Sequence, residues 1–226
     1  MTPQPGERPN EPGAQRPRLQ PGVARHYHSP LREQRAARTR HRIIDSAREL
    51  FLSDGFAGTT IAAIARRAGV APQTVYAVFG SKSAVLEALL SGLEESAGAA
   101  EWRRALADES DPARLLDLFA QWTASMLGTS KELLAAARGA LQDPAVRELA
   151  ARGDEHRRNA LRALIDRIDE GGGLRAGLSP EHALDRAWML TGVELFLAAD
   201  SCGWSHDEYT EWLTELLHQQ LLPAGS

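Results

Sequence analysis

The sequence predicts an all-α protein of about nine helices. Apolar residues return at helical spacing along most of the chain, and no segment shows the strict apolar–polar alternation of a half-buried strand. Helix starts recur in the second half, where Asp111-Pro112, Asp143-Pro144 and Ser179-Pro180 each place proline directly after a capping side chain. These signals predict later helices over about 112–128, 130–141, 144–170, 180–201 and 206–222.

Composition and charge divide the 226 residues into three predicted segments, 1–30, 31–90 and 91–226. Seven of the twelve prolines lie in residues 1–30, which we expect to be a disordered Pro/Arg-rich extension. Residues 1–90 carry thirteen Lys and Arg against seven Asp and Glu, whereas residues 91–226 carry thirteen against twenty-three. A basic first third on an acidic remainder indicates an anion-binding module joined to a different body, although charge asymmetry alone also arises by chance.

Several classes of protein are disfavoured by what the chain contains. Its one cysteine, Cys202, excludes an internal disulfide and a multi-cysteine metal site. No apolar run is long enough for a signal peptide or a membrane span, so we expect a cytoplasmic protein without a membrane partner. We expect no catalytic residues, no metal and no cofactor, because no nucleophile elbow, Walker loop or zinc-protease motif is present.

A helix-turn-helix is predicted between about Thr60 and Phe79. A first helix over about 35–54 ends near Gly55, and Thr60 is a candidate N-cap for a second helix that runs to Ala68. A turn containing Gly69 follows, and Pro72 suits the first turn of a third helix. Two helices separated by three or four residues with a glycine have the spacing of a DNA-binding helix-turn-helix.

The third helix has a packing face and an outward face. Val75 and Phe79 fall on the packing face, and the outward side chains are suited to base edges, a thymine methyl group or phosphates. An ordinary helical hairpin is the alternative, but the basic lead-in helix and Lys82 favour DNA. The predicted DNA-binding residues are Arg40, Thr60, Ala71, Gln73, Thr74, Tyr76, Ala77 and Lys82.

The run from Arg40 to Leu90 strongly resembles the N-terminal domain of the tetracycline-repressor (TetR-type) family. The matching elements include Ile43-Ile44, Gly55-Phe56, Thr59-Thr60, Ile64-Ala65, Ala68-Gly69-Val70, Thr74-Val75-Tyr76, Phe79 and Lys82. The resemblance implies that the third helix reads the major groove, that Tyr76 and Lys82 hold phosphates, and that a dimer binds a near-palindromic operator. Ala77-Val78 departs from the polar or histidine residue that many members have there, which removes one possible contact.

The remaining helices resemble the regulatory half of that family, which implies a ligand-binding and dimerisation domain over residues 91–226. In the family the last two helices form a four-helix bundle with those of a second copy, whereas composition alone slightly favours a core for these broad apolar faces. The predicted dimer-interface residues are Val193, Phe196, Leu197, Trp212, Leu213, Leu216 and Leu217.

Family members usually bind an inducer between the middle helices. Aromatic and methionine side chains there suit a small hydrophobic or aromatic ligand, although such residues more often simply fill a core. The candidate ligand-binding residues are Trp102, Phe119, Trp122, Met126, His156, Leu164, Trp188 and Met189.

Together these features predict a homodimeric repressor that a small molecule releases from a double-stranded DNA operator. An architectural DNA-binding protein without a ligand, and an all-α enzyme whose catalytic groups converge from distant positions, are the alternatives. The basic N-terminal arm, with Arg25, Arg32, Arg35 and Arg38, is equally consistent with a phosphate-binding arm and with a solvated tail.

Overall fold

A computed structural model describes residue 1 and residues 30–224, and within them the chain is entirely helical apart from turns and short connections. This confirms the predicted all-α class, and no helix in this part of the chain is long and apolar enough to cross a membrane. The ten helices are α1 (Pro30–Gly58), α2 (Ile61–Ala68), α3 (Pro72–Phe79), α4 (Lys82–Ser96), α5 (Ala99–Asp108), α6 (Pro112–Gly139), α7 (Pro144–Glu170), α8 (Pro180–Leu190), α9 (Val193–Ser201) and α10 (His206–Leu221).

Local signals set the bounds of α2 and α3. The Thr60 hydroxyl accepts a hydrogen bond from the Ala63 amide at 3.1 Å and so caps α2. Gly69 ends α2 in the left-handed region with φ of 64°, and Pro72 occupies the first turn of α3. Gly55, with φ of 71°, kinks α1 where the sequence predicts its end. The predicted helix-turn-helix is therefore present.

We call α1–α4 the head and α5–α10 the body. The core of the head brings together apolar side chains from all four of its helices, including Ile43, Ile64, Val75 and Leu86. The same core also contains Leu133 from α6 and two apolar residues near the start of α7. Because body helices contribute to the head core, movement of α6 or α7 acts directly on the packing of the head.

A second core holds the body together. It is formed by the long helices α6 and α7 with α8, α9 and α10. Arg157 on α7 stabilises the junction between α8 and α9. Its guanidinium carbon lies 3.5 Å from the centroid of the Trp188 ring. The guanidinium also donates hydrogen bonds to the Trp188 carbonyl at 2.7 Å and to the Thr191 hydroxyl at 3.0 Å.

The helices of the body differ from the prediction in three places. The predicted start at Ser130 is wrong, because α6 continues to Gly139 and Ser130 is buried on the same face as Leu127 and Leu133. The short helix α5 was not predicted from the sequence. The predicted helix 180–201 is broken at Gly192, whose extended backbone starts α9 without a side-chain cap.

The described residues allow only part of the predicted segment boundaries to be compared with the structure. The prediction of disorder for residues 1–30 lies outside the described residues, except for residue 1 and for Pro30, which begins α1. The predicted boundary at residues 90 and 91 falls inside α4, which runs without a break from the head toward the body.

Candidate nucleic-acid interface

The outward face of α3 is exposed along its length. Val75 has no exposed surface and fastens α3 to the head core, whereas Gln73 and Ala77 are exposed and Tyr76 keeps 55% of its surface. Thr74 is half-buried at the edge of this face, and its amide donates to the Ala71 carbonyl at 2.9 Å. The face therefore offers an amide, a phenol and small side chains on a rigid helix.

A glycine closes the C-terminal end of α3, and a cation lies beside that end. Gly80 has φ of 80° and its amide donates to the Tyr76 carbonyl at 2.8 Å. The Arg40 guanidinium carbon lies 4.6 Å from the centroid of the Phe79 ring, which places an exposed cation from α1 beside α3. An exposed cation in this position can bind an anion such as a phosphate.

Lys82 has a structural role that the sequence did not reveal. Its ammonium donates to the carbonyls of Phe56 at 2.6 Å and Thr59 at 2.9 Å, and it lies 4.1 Å from the centroid of the Phe56 ring. Burial lowers the pKa of Lys82, and the charge of Asp143 opposes that effect. Two of the three ammonium protons therefore close the loop between α1 and α2, and the predicted contact of Lys82 with a phosphate stays a prediction.

Thr59 completes this closure of the loop. It is buried, and its hydroxyl donates to the Gly55 carbonyl at 2.8 Å and lies 3.1 Å from the Leu50 carbonyl. Thr59 thus ties the kink of α1 to the start of α2, and the neighbouring Thr60 remains exposed at the N-terminus of α2. The predicted DNA-binding residues lie on α1, at the starts of α2 and α4, and along α3, and their contacts with DNA stay a prediction.

The predicted dimer-interface residues separate into two groups. Val193, Phe196, Leu213 and Leu217 belong to the core of the body, and the last two have no exposed surface. These four side chains pack within one chain and keep little or no surface for a second copy, and their role in a dimer interface stays a prediction. Leu197, Trp212 and Leu216 are only partly buried and keep some exposed surface.

The predicted ligand-binding residues do not gather into one pocket. Trp102 packs against Trp122 with ring centroids 6.4 Å apart, and Trp188 is covered by Arg157. Phe119 and Leu164 are buried and Met126 is partly buried in the body core. His156 is exposed on α7 and Met189 keeps 65% of its surface, so neither lies in an enclosed site within one chain, and their role in ligand binding stays a prediction.

Comparison with known proteins places the head among bacterial regulators. Residues 43–89 match the family model described as bacterial regulatory proteins, tetR family, which confirms the resemblance found in the sequence. Over 56 residues the chain is 46% identical to the HTH-type transcriptional regulator SrpR of Pseudomonas putida, covering 25% of this chain and 26% of SrpR. It is 38% identical over 66 residues to TcmR of Streptomyces glaucescens, covering 29% of each. The chain therefore spans under a third of the length of these curated relatives.

Solved structures extend the likeness over most of the chain. NalD, described as the secondary repressor of the MexAB-OprM multidrug efflux pump in Pseudomonas aeruginosa, superposes with a TM-score of 0.66 at 25% identity. That alignment covers 83% of this chain and 98% of NalD. The SmeT–triclosan complex superposes with a TM-score of 0.68 at 20% identity, covering 83% of this chain and 93% of SmeT. The arrangement of head and body is thus the fold of these proteins.

Proposed function

We propose that this chain is a sequence-specific transcriptional regulator that acts on double-stranded DNA in the cytoplasm, because residues 43–89 match the model of the tetR family of bacterial regulatory proteins. The observation that carries the proposal is the outward face of α3, where Gln73 and Tyr76 are exposed on a helix fastened from behind by Val75. A helix of this kind enters the major groove with its side chains against base edges.

The regulator works as a homodimer that represses transcription. One head reads a half-site of a few base pairs, and two heads related by a two-fold axis read a near-palindrome. The partly buried Leu197, Trp212 and Leu216, with the exposed Met189 near the end of α8, supply apolar surface for the contact between protomers.

A small hydrophobic or aromatic molecule releases the dimer from its operator. SmeT, which has the same fold, was solved in complex with triclosan. In this chain a movement of body helices can reach the head through direct contacts. Leu133 of α6 lies in the head core, and Lys82 at the start of α4 holds the loop before α2. A ligand that shifts α6 or α4 changes the spacing of the two heads and lowers affinity for the operator.

Replacement of Gln73 by alanine tests the reading face. We expect Gln73→Ala to reduce the preference for operator over random DNA by about 1–3 kcal/mol, because a bidentate contact with a base edge is lost. Binding to random DNA should change little. Affinities for both DNAs, measured at one salt concentration, give the difference.

Gln121→Ala is the matched control, since Gln121 is exposed on α6 in the body. It should leave both affinities unchanged. An equal loss on operator and random DNA after Gln73→Ala would refute the assignment of Gln73 as a base-reading residue.

A further inference from the structure

The helix α3 carries no charged side chain. None of its eight residues, Pro72–Phe79, is Lys, Arg, Asp or Glu. Direct readout of a G·C pair in the major groove relies mainly on Arg or Lys against guanine and on Asp or Glu against the amino group of cytosine. Gln instead pairs with adenine, and small apolar side chains contact the C5 methyl group of thymine. The side chains of α3 are therefore suited to A·T pairs.

Ala77 lies at the centre of the outward face of α3. At about 3.6 residues per turn it falls on the side opposite Val75 and Phe79, which pack in the head core or against it. Gln73 precedes Ala77 by one turn on the same side of the helix, and both residues are exposed. The middle of this face is thus an amide followed by a methyl group, and the small side chain of Ala77 lets another molecule approach the helix closely.

Val78 adds a larger apolar side chain at the edge of this face. It keeps 38% of its surface and is not one of the residues of the head core. Single exposed apolar residues are common on protein surfaces, but this one lies on the helix that the proposed function places in the major groove. A thymine methyl group that covers the isopropyl group of Val78 removes apolar surface from water and so stabilises the complex.

The cations near α3 do not lie at the centre of its outward face. Arg40 lies over the ring of Phe79, with its guanidinium carbon 4.6 Å from the ring centroid, and Phe79 is on the side of α3 opposite Ala77. The ammonium of Lys82 donates to two carbonyls of the loop before α2. In these positions neither cation reaches a guanine that lies against Ala77.

We infer that α3 selects an A·T-rich half-site, in which Gln73 binds an adenine and the methyl groups of Ala77 and Val78 contact the C5 methyl groups of thymines. Four residues of helix rise by about 6 Å, which is close to two base-pair steps of about 3.4 Å each. The adenine and the thymines should therefore lie within about two base pairs of one another. The inference rests on the proposed function, since it specifies which bases the proposed regulator reads.

Deoxyuridine tests the methyl contacts, because it differs from thymidine only in lacking the C5 methyl group. The operator is first selected from random double-stranded DNA with the full chain, and each thymine of a half-site is then replaced singly. Burial of one methyl group corresponds to about fourfold in affinity, so replacement of the contacted thymines should weaken binding by about three- to fivefold. If no single replacement weakens binding by more than about twofold, the inference is overturned.

Two variants assign the methyl contacts to their residues. In Ala77→Gly and in Val78→Ala, the loss caused by deoxyuridine at one thymine should fall below about twofold, because the apolar partner of the methyl group is gone. Each loss is a ratio of two affinities of the same variant, so a general weakening of the helix cancels. Leu52→Ala is the matched control, since Leu52 keeps 40% of its surface and lies on α1. Deoxyuridine effects that stay the same in all three variants would overturn the assignment.

The contact between Gln73 and adenine is tested with 7-deaza-2′-deoxyadenosine, which lacks the N7 acceptor. Replacement of the contacted adenine should weaken binding by the unmodified chain about fivefold, as expected for one neutral hydrogen bond. The same replacement should have no effect on Gln73→Ala, whereas Gln121→Ala should respond like the unmodified chain. An equal loss in Gln73→Ala would overturn this part of the inference.

5-Bromodeoxyuridine locates the contact independently of affinity. Its bromine takes the place of the methyl group and forms cross-links under ultraviolet light. At a thymine that is sensitive to deoxyuridine, the cross-link should join the DNA to the peptide that contains α3. Cross-links confined to peptides of other helices would overturn the inference.

The outcomes separate this inference from the proposed function. Selected half-sites that consist of G·C pairs, or specific binding that no thymine replacement weakens, would overturn the inference and leave the regulator standing. If the chain preferred no sequence over random DNA, the proposed function would be refuted and the inference with it.

Discussion

The Leu133→Ala variant is expected to lose about 2–5 kcal/mol of unfolding free energy, and the loss should concentrate in the head. Leu133 belongs to α6, a body helix, yet its side chain is 2% exposed in the head core with residues of α1, α2, α3 and α4. Its truncation leaves a cavity at the junction of head and body. Denaturant unfolding measures the total loss, and amide hydrogen exchange should accelerate most in α1 and α4.

The neighbouring Leu134 provides a matched control. Leu134 is only partly buried and packs against the body core, so Leu134→Ala should cost less, under about 2 kcal/mol, and should leave exchange in the head unchanged. If Leu133→Ala lost less unfolding free energy than Leu134→Ala, or if amide hydrogen exchange accelerated only in the body, the role of Leu133 as the link between the two cores would be contradicted.

The second large effect is expected from Lys82→Met, which removes the ammonium and keeps an apolar stem. The carbonyls of Phe56 and Thr59 lose their donor, and the contact with the Phe56 ring loses its charge. We expect the unfolding free energy to fall by about 2 kcal/mol, since hydrogen bonds from a charged donor are stronger than neutral ones and these carbonyls recover only part of their hydration. Thermal or denaturant unfolding measures the change.

Lys131→Met is the control for the loss of a lysine charge. Lys131 pairs with Asp200 at 2.8 Å, but both side chains keep about two-fifths of their surface. An exposed pair of this kind contributes under about 1 kcal/mol. If Lys82→Met were no more destabilising than Lys131→Met, the claim that Lys82 stabilises the loop between α1 and α2 would be refuted.

The head was predictable because its structure is encoded locally. Thr60, Gly69 and Pro72 each act within a few residues of their own position, through a cap, a left-handed turn and a fixed φ. In the body the same local signals predict some helix ends wrongly, because tertiary packing determines where those helices begin and end. Ser130 has the composition of a cap, but it lies on the buried face of a continuous α6, where a break would separate Leu127 from Leu133.

The site residues show a similar limit. An apolar periodicity identifies the buried side of a helix, and it does not show whether that side meets the same chain or a second copy. Leu213 and Leu216 both belong to the apolar pattern of α10, yet only Leu216 keeps exposed surface. Tyr209 is buried against Phe196 of α9, and this contact depends on how α9 and α10 pack, which no spacing along the sequence records.

Selection of bound sequences from random double-stranded DNA by the full chain tests the central claim most directly. The account predicts that the selected sequences contain two inverted half-sites, and that the best of them binds at least about a thousandfold more tightly than random DNA at the same salt concentration. Selected sequences without two-fold symmetry, or a ratio of operator to random affinity near one, would contradict it.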